Sequence, residues 1–154
     1  MLLRSGDGNE LELSIVGYQF PHSERDPWES NSLLVSVRLV TPEGTWEVVD
    51  PCLTTWEAAQ LAGWLAVAAR LAPGLAPLPF VQPNLTVSPR RATAEALRLR
   101  ACFELERRPP WGRTRGRGPL CVDLDVDRAQ LAEAAGALAA QLAEFPMRGD
   151  DPTL

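Results

Sequence analysis

The chain has little of the chemistry that enzymes rely on: one histidine, one tyrosine and no lysine among 154 residues. Nucleophilic catalysis needs a base beside the nucleophile. The one histidine, His22, adjoins Ser23, and neighbouring side chains diverge along a chain, so we predict no catalytic residues. Asp26 and Glu29 could supply two carboxylates, but a domain of this size offers little cleft for a sugar. A small hydrolase using His22 and Asp26 is the last-ranked alternative.

Metal-binding and phosphate-binding patterns are also missing. The three cysteines, Cys52, Cys102 and Cys121, form no CxxC pair, and a structural zinc site needs four nitrogen or sulfur ligands. We therefore expect no metal, and three reduced, mostly buried thiols. The glycines of "RSGDGNE" match neither GxxxxGK[ST] nor GxGxxG, so no cofactor is expected.

Long hydrophobic runs are absent as well. No apolar stretch approaches 18 residues, and "MLLRSGDGNE" lacks the apolar core of a signal peptide, which favours a cytoplasmic protein without a membrane span. The length suits one domain. We assign that domain to residues 1–146 and expect 147–154 to be a flexible tail.

The charge is uneven between the two halves. Residues 1–77 carry ten carboxylates and four arginines, whereas the rest of the chain carries ten carboxylates and eleven arginines. The net charge of −5 therefore comes from the first half. An acidic surface favours a basic partner.

Hydrophobic periodicity predicts an alternation of strands and helices. Period-two patterns indicate strands at 10–20, 33–41, about 46–48, 85–87, 96–106 and 120–126. A capping signal at Thr54 or Thr55, with Glu57 three residues after Thr54, precedes one helical stripe, and Asp127 precedes another. We expect a loop at 21–32 and a strand break at Asp50-Pro51.

This order predicts an α+β fold with an antiparallel sheet of about five to six strands and two helices packed on one face. The likeness of "AAQLAGWLA" to "RAQLAEAAG" suggests two pseudo-repeats. A hairpin centred near Gly112 would place Arg100 opposite Asp125 and Cys102 opposite Asp123.

Two loops carry candidate binding residues. "RRPPWGRTRGRG" resembles RNA-binding tails and suggests a nucleic-acid-binding module, although a solvated loop is the simpler interpretation. Its candidate residues are Arg107, Arg108, Trp111, Arg113, Arg115 and Arg117. The other loop follows "GYQFP" and contributes Glu24, Asp26, Trp28 and Glu29. A loop tryptophan either packs against the domain or anchors a partner.

The motifs GYQFP, D-x-W-x-x-N, W-x-x-x-DPCL-T and L-x-x-WL make the chain resemble the WapI-type family of bacterial immunity proteins and their uncharacterised relatives. The resemblance spans about 13–65, with matches at Gly17 to Pro21, Asp26, Trp28, Asn31, Trp46, Asp50 to Leu53, Thr55, Leu61, Trp64 and Leu65.

The resemblance implies a non-enzymatic immunity protein that binds and blocks a cognate toxin domain, and it implies no catalytic residue. Together with the acidic first half, it suggests an acidic docking surface for a basic toxin such as a nuclease. The alternatives are nucleic-acid binding through 107–118 and an interaction domain of another kind. The sequence predicts neither the toxin nor the oligomeric state.

Overall fold

A computed structural model describes residues 1–70, 74–81, 85–93, 95–104, 108–113 and 118–153. The first half forms an antiparallel four-stranded sheet followed by a long helix. Its elements are β1 (Leu2–Arg4), β2 (Glu10–Tyr18), α1 (Pro27–Asn31), β3 (Ser32–Thr41), β4 (Gly44–Thr54) and α2 (Thr55–Ala68).

The second half repeats this plan. Its elements are β5 (Leu78–Pro79), β6 (Leu85–Ala92), β7 (Ala96–Phe103), α3 (Pro110–Arg113), β8 (Leu120–Asp127) and α4 (Arg128–Glu144). The strand orders are β1-β2-β3-β4 and β5-β6-β7-β8, with every pair antiparallel.

The two sheets share one hydrophobic core, in which α2 packs against α4. At the junction, β1 lies beside β8. The bonds here come from side chains: Ser5 Oγ accepts from the Asp125 backbone N–H at 3.1 Å, and Asn9 Nδ2 donates to the Asp123 carbonyl at 3.3 Å. The α+β class and antiparallel pairing are therefore confirmed, but the expected single sheet with two helices is wrong, because no ladder joins these two strands.

The repeat is clearest in the long helices. Each begins directly after the fourth strand of its sheet, at a residue whose side chain accepts a backbone N–H: Thr54 for α2 and Asp127 for α4. Buried residues then follow each cap at intervals of four, seven, eight and eleven: Ala58, Leu61, Ala62 and Leu65 in α2, and Leu131, Ala134, Ala135 and Leu138 in α4. The matching burial supports two structural repeats, although aligning "AAQLAGWLA" with "RAQLAEAAG" through their shared AQLA would shift the helices by three residues.

Two local predictions in the first half need correction. The segment 21–32 is not all loop, because Pro27–Asn31 is a short helix. Strand β4 continues through Pro51 to Thr54 instead of breaking at Asp50. Proline is tolerated there because β4 is the last strand of its sheet and the β3–β4 register shifts between Leu33 and Leu34.

The predicted β7–β8 register is also wrong, by two residues. Arg98 lies opposite Asp125, Arg100 opposite Asp123, and Cys102 opposite Cys121. A shift of two leaves every side chain on the same face, so the alternation pattern could not distinguish the two registers. The observed register brings the cysteines together as a disulfide, which corrects the expectation of three reduced thiols, while Cys52 is buried and outside the disulfide.

Both arginine–aspartate pairs on the outer face of this hairpin are bidentate. Arg98 donates to both Asp125 oxygens at 2.7 and 2.5 Å, and Arg100 to both Asp123 oxygens at 2.7 and 2.9 Å. These hydrogen bonds lower the pKa of both aspartates. The pairs therefore stabilise the folded state when the carboxylates are ionised.

This predicts a specific acid dependence of stability. Since the folded-state pKa values are lowered, the stabilisation is fully present above the unfolded aspartate pKa of about 3.9 and is lost as the pH falls through the folded values. In denaturation at a series of pH values, an Asp123→Asn/Asp125→Asn variant should be less stable than wild type at neutral pH. The difference should disappear at acid pH. Asp150→Asn serves as the exposed control, and a pH-independent difference would contradict the prediction.

Candidate functional site

The short helix α1 and its N-cap residue hold three of the four candidates from the loop after "GYQFP": Asp26, Trp28 and Glu29. Asp26 caps it: its Oδ1 accepts the backbone N–H groups of Trp28 at 2.8 Å and Glu29 at 3.2 Å. Pro27 occupies the first turn, where its missing N–H costs nothing. The cap turns Trp28 and Glu29 outward, so local sequence chemistry positions the site.

Trp28 lies partly inside and partly outside the domain. Its ring meets the buried Trp56 of α2 edge to face, with centroids 5.1 Å apart and planes at 80°. Trp28 nevertheless remains 39% exposed. The sequence left open whether Trp28 packs against the domain or is exposed. In the structure one part of the indole contacts Trp56 and the rest faces solvent.

Trp28 borders a small cavity between α1 and the start of α2. Its volume is about 210 Å³, and its lining includes Phe20, Val81 and Cys52. Phe20 is 41% exposed and Val81 62% exposed. Three of the seven exposed large apolar side chains in the described residues therefore surround one depression. Clustering of this kind is more informative than isolated exposed apolar residues.

Glu57 forms part of the cavity wall, although only 4% of the residue is exposed. Its Oε2 accepts from the Thr54 N–H at 2.8 Å, which completes the predicted capping box, and its Oε1 accepts from the Val81 N–H at 2.5 Å. The carboxylate thus holds Val81, from the second half, next to α1 and α2. Its hydrogen-bonded role is structural.

Asn31, the last residue of α1, is completely buried and links α1 to other parts of the domain. Its Nδ2 donates to the Pro27 and Arg148 carbonyls, both at 2.8 Å. Its Oδ1 accepts from Thr55 Oγ1 at 2.7 Å and from the Arg148 N–H at 2.8 Å. One amide therefore joins α1, the start of α2 and the C-terminal segment.

The C-terminal segment is fixed at a second point as well. Arg148 lies over the Tyr18 ring, 3.5 Å from its centroid, and donates to the Pro21 carbonyl at 2.9 Å. Tyr18 donates to the Pro146 carbonyl and meets Phe145 edge to face. The end of "GYQFP" and the start of the predicted tail therefore hold each other in place.

The three acidic candidates of the loop after "GYQFP" are exposed to solvent. Glu24, Asp26 and Glu29 are all exposed, and Glu29 accepts from Ser23 Oγ at 3.0 Å. Arg25 lies among them, so the loop carries three carboxylates and one arginine. We define the apolar–acidic surface as Phe20, Trp28 and Val81 together with Glu24, Asp26 and Glu29.

Of the arginine-rich candidates, the structure describes the side chains of Arg108 and Trp111. Trp111 is half-buried and contacts the core, and a Cβ added at Gly44, where φ is +153°, would lie 3.3 Å from its ring. Arg108 donates to the Gly112 carbonyl. Arg107, Arg115 and Arg117, and the side chain of Arg113, lie outside the described residues. The nucleic-acid hypothesis stays a prediction.

Two members of the apolar–acidic surface were missed in the sequence. Phe20 belongs to a recognised motif, but it lies in a bend two residues beyond the end of β2, so strand alternation does not place it beside Trp28. Val81 joins through Glu57, which no local pattern indicates. The Asp26-Pro27 pair, by contrast, is a helix-start signal that could have predicted α1.

Within the described residues, no group of three or more His, Cys, Asp or Glu side chains is placed to hold a metal ion. None of the helices in the same residues combines the length and apolar composition needed to cross a bilayer.

The fold and this surface define a small α+β protein with an exposed apolar patch beside carboxylates, a form suited to binding another protein. Comparison with family models identifies the family. The model of the immunity protein WapI-like family matches residues 1–146, and the chain belongs to that family. The resemblance found in the motifs is thereby confirmed and extends well beyond 13–65. A search of curated proteins gave no match.

Proposed function

We propose that the chain is a non-enzymatic immunity protein that neutralises a cognate toxin domain by binding it through the apolar–acidic surface. The observation that carries this is the position of Trp28, held on one side by Trp56 and 39% exposed on the other. A partly fixed aromatic ring loses little conformational freedom on binding and contributes a large apolar area, which is typical of interface anchors.

The charges suggest the kind of toxin. Glu24, Asp26 and Glu29 give the loop a net negative charge despite Arg25, and residues 1–77 carry six more negative than positive side chains. Carboxylates beside an apolar anchor favour a basic partner surface and accelerate encounter with it. A toxin whose active-site face binds an anionic substrate, such as a nucleic acid, has that chemistry.

The test is protection and complex formation with the toxin domain encoded beside this chain. Co-expression should restore growth of toxin-expressing cells, and the two proteins should co-purify. If co-expression gave no protection and the two proteins formed no complex, the proposed function would be refuted. Protection without contact at the apolar–acidic surface, measured by hydrogen exchange of the complex, would retain the function and move the site elsewhere.

The contribution of the charges has its own prediction. A Glu24→Gln/Asp26→Asn/Glu29→Gln variant keeps the side-chain shapes, and asparagine still caps α1. We expect about tenfold weaker binding at low salt, mainly through slower association, and a smaller dependence on ionic strength. Glu95→Gln/Glu133→Gln/Glu144→Gln removes three charges from exposed positions elsewhere and should bind like wild type. Equal effects of the two variants would mean that only net charge matters.

A further inference from the structure

We propose that Cys102 and Cys121 form a reversible thiol–disulfide exchange site on the outer face of the second sheet, with a small thiol as its reaction partner. The two residues lie directly opposite each other on β7 and β8, with their Cα atoms 4.0 Å apart. Cys121 is exposed and Cys102 half-buried. A dissolved thiol can therefore reach the bond without unfolding of the protein, and access is one of the factors that set the exchange rate.

The surrounding hairpin is built to survive loss of the bond. On the same face, the next two residue pairs along the strands are the bidentate ion pairs Arg100–Asp123 and Arg98–Asp125. On the opposite face, Phe103, Ala101, Leu99 and Leu97 are buried opposite Leu120, Val122, Leu124 and Val126. Because these contacts set the register, the reduced thiols stay opposite each other and can reoxidise without a search for partners.

The exchange proceeds in two balanced steps. A thiolate attacks the exposed Cys121 Sγ and forms a mixed disulfide, and the electron pair of the broken S–S bond goes to Cys102 Sγ, which takes up a proton. A second thiolate attacks the outer sulfur of the mixed disulfide, which releases Cys121 as a thiolate that is protonated in turn. Two thiols are thereby oxidised to one disulfide, and two electrons and two protons reach the protein. Reoxidation by a small disulfide is the reverse.

The bond closes a segment whose ends lie 19 positions apart in the sequence and which includes α3 and Trp111. A Cβ added at Gly44, the first residue of β4, would lie 3.3 Å from the Trp111 ring, so this segment lies against the first sheet at Trp111. A covalent bond at the base of the segment restricts its ends. Reduction is therefore expected to weaken the seating of α3 and Trp111 while leaving both sheets intact.

The experiment equilibrates the folded protein in buffers with a series of reduced-to-oxidised glutathione ratios, blocks free thiols with an alkylating reagent, and maps the modified peptides by mass spectrometry. Cys102 and Cys121 should become alkylated together, in one two-electron transition within the series. Cys52 is 2% exposed and should stay unmodified, which makes it an internal control. Hydrogen exchange at 108–113 should rise at least about threefold in the reduced form, with unchanged circular dichroism.

Three outcomes would overturn the proposal. A pair that stays oxidised at every ratio is a permanent structural bond, and a pair that is alkylated at every ratio forms no bond in the folded protein. Glutathione attached to Cys121 with no bond to Cys102 at any ratio would indicate a single reactive thiol. The Cys102→Ser variant should show no two-electron transition, and reversal from the reduced end of the series should regenerate the oxidised protein. None of these measurements depends on the toxin.

Discussion

Replacing Asn31 by alanine is expected to lower the free energy of unfolding by about 3 kcal/mol. The substitution removes a completely buried amide. The part-buried Arg148 N–H and carbonyl lose their Asn31 partner, and the buried Thr55 hydroxyl loses its acceptor, whereas the Pro27 carbonyl retains the bond from Ser30 Oγ. A buried polar group without a partner costs more than the net contribution of an ordinary hydrogen bond. Urea denaturation should show the loss as a lower midpoint at unchanged slope.

Asn9→Ala is the matched control for this prediction. The Asn9 side-chain amide makes two hydrogen bonds, one to Asp7 Oδ2 at the exposed surface and one to the Asp123 carbonyl, which is only part-buried. Water can replace those partners, so we expect a loss of less than about 1 kcal/mol. If Asn31→Ala were as mild as Asn9→Ala, the amide would not be the link that joins α1, α2 and Arg148.

Short-range features of the fold were predictable because their causes are local. The caps at Thr54 and Asp127, the capping box with Glu57 and the turn at "TPEG" each depend on residues within four positions of one another. The buried faces of the strands followed from alternation. These signals predicted the strand–helix order that makes the two halves alike.

Long-range pairing could not be predicted in the same way. A period of two does not distinguish the observed β7–β8 register from one displaced by two residues, so the disulfide between Cys102 and Cys121 went unrecognised. The single sheet was expected because nothing local shows that the β1–β8 junction consists of side-chain bonds from Ser5 and Asn9.

Part of the candidate site could be predicted from the sequence. Trp28 and the carboxylates could be singled out because an aromatic residue in an acidic loop is unusual. Phe20 and Val81 could not be grouped with them, since Phe20 lies in a bend beyond the end of β2 and Val81 is held in place by its bond to Glu57. Asn31 was recognised as a motif residue, but its role depends on Thr55 and on Arg148, which lies 117 positions away.

Trp28→Ala is expected to weaken binding of the cognate toxin by roughly 100-fold, the range in which a central aromatic anchor falls. The substitution removes the exposed part of the indole and also opens the side of Trp56 against which it rests. Loss of the aromatic pair should cost the free protein about 1 kcal/mol, because Trp28 is already 39% exposed. Isothermal titration calorimetry with the toxin domain and denaturation of the free variant separate the two effects.

Two further variants decide whether the loss belongs to the site or to general apolar exposure. Trp28→Phe keeps an aromatic ring over Trp56 and should recover most of the affinity. Val67→Ala removes an apolar side chain of similar exposure, 42%, from the outer side of α2 and should bind like wild type. Binding of Trp28→Ala within threefold of wild type, in a complex that still protects cells, would show that the toxin docks elsewhere. In that case the exposed part of Trp28 would have no role in neutralisation, and its contact with Trp56 would serve only to seat α1 against α2.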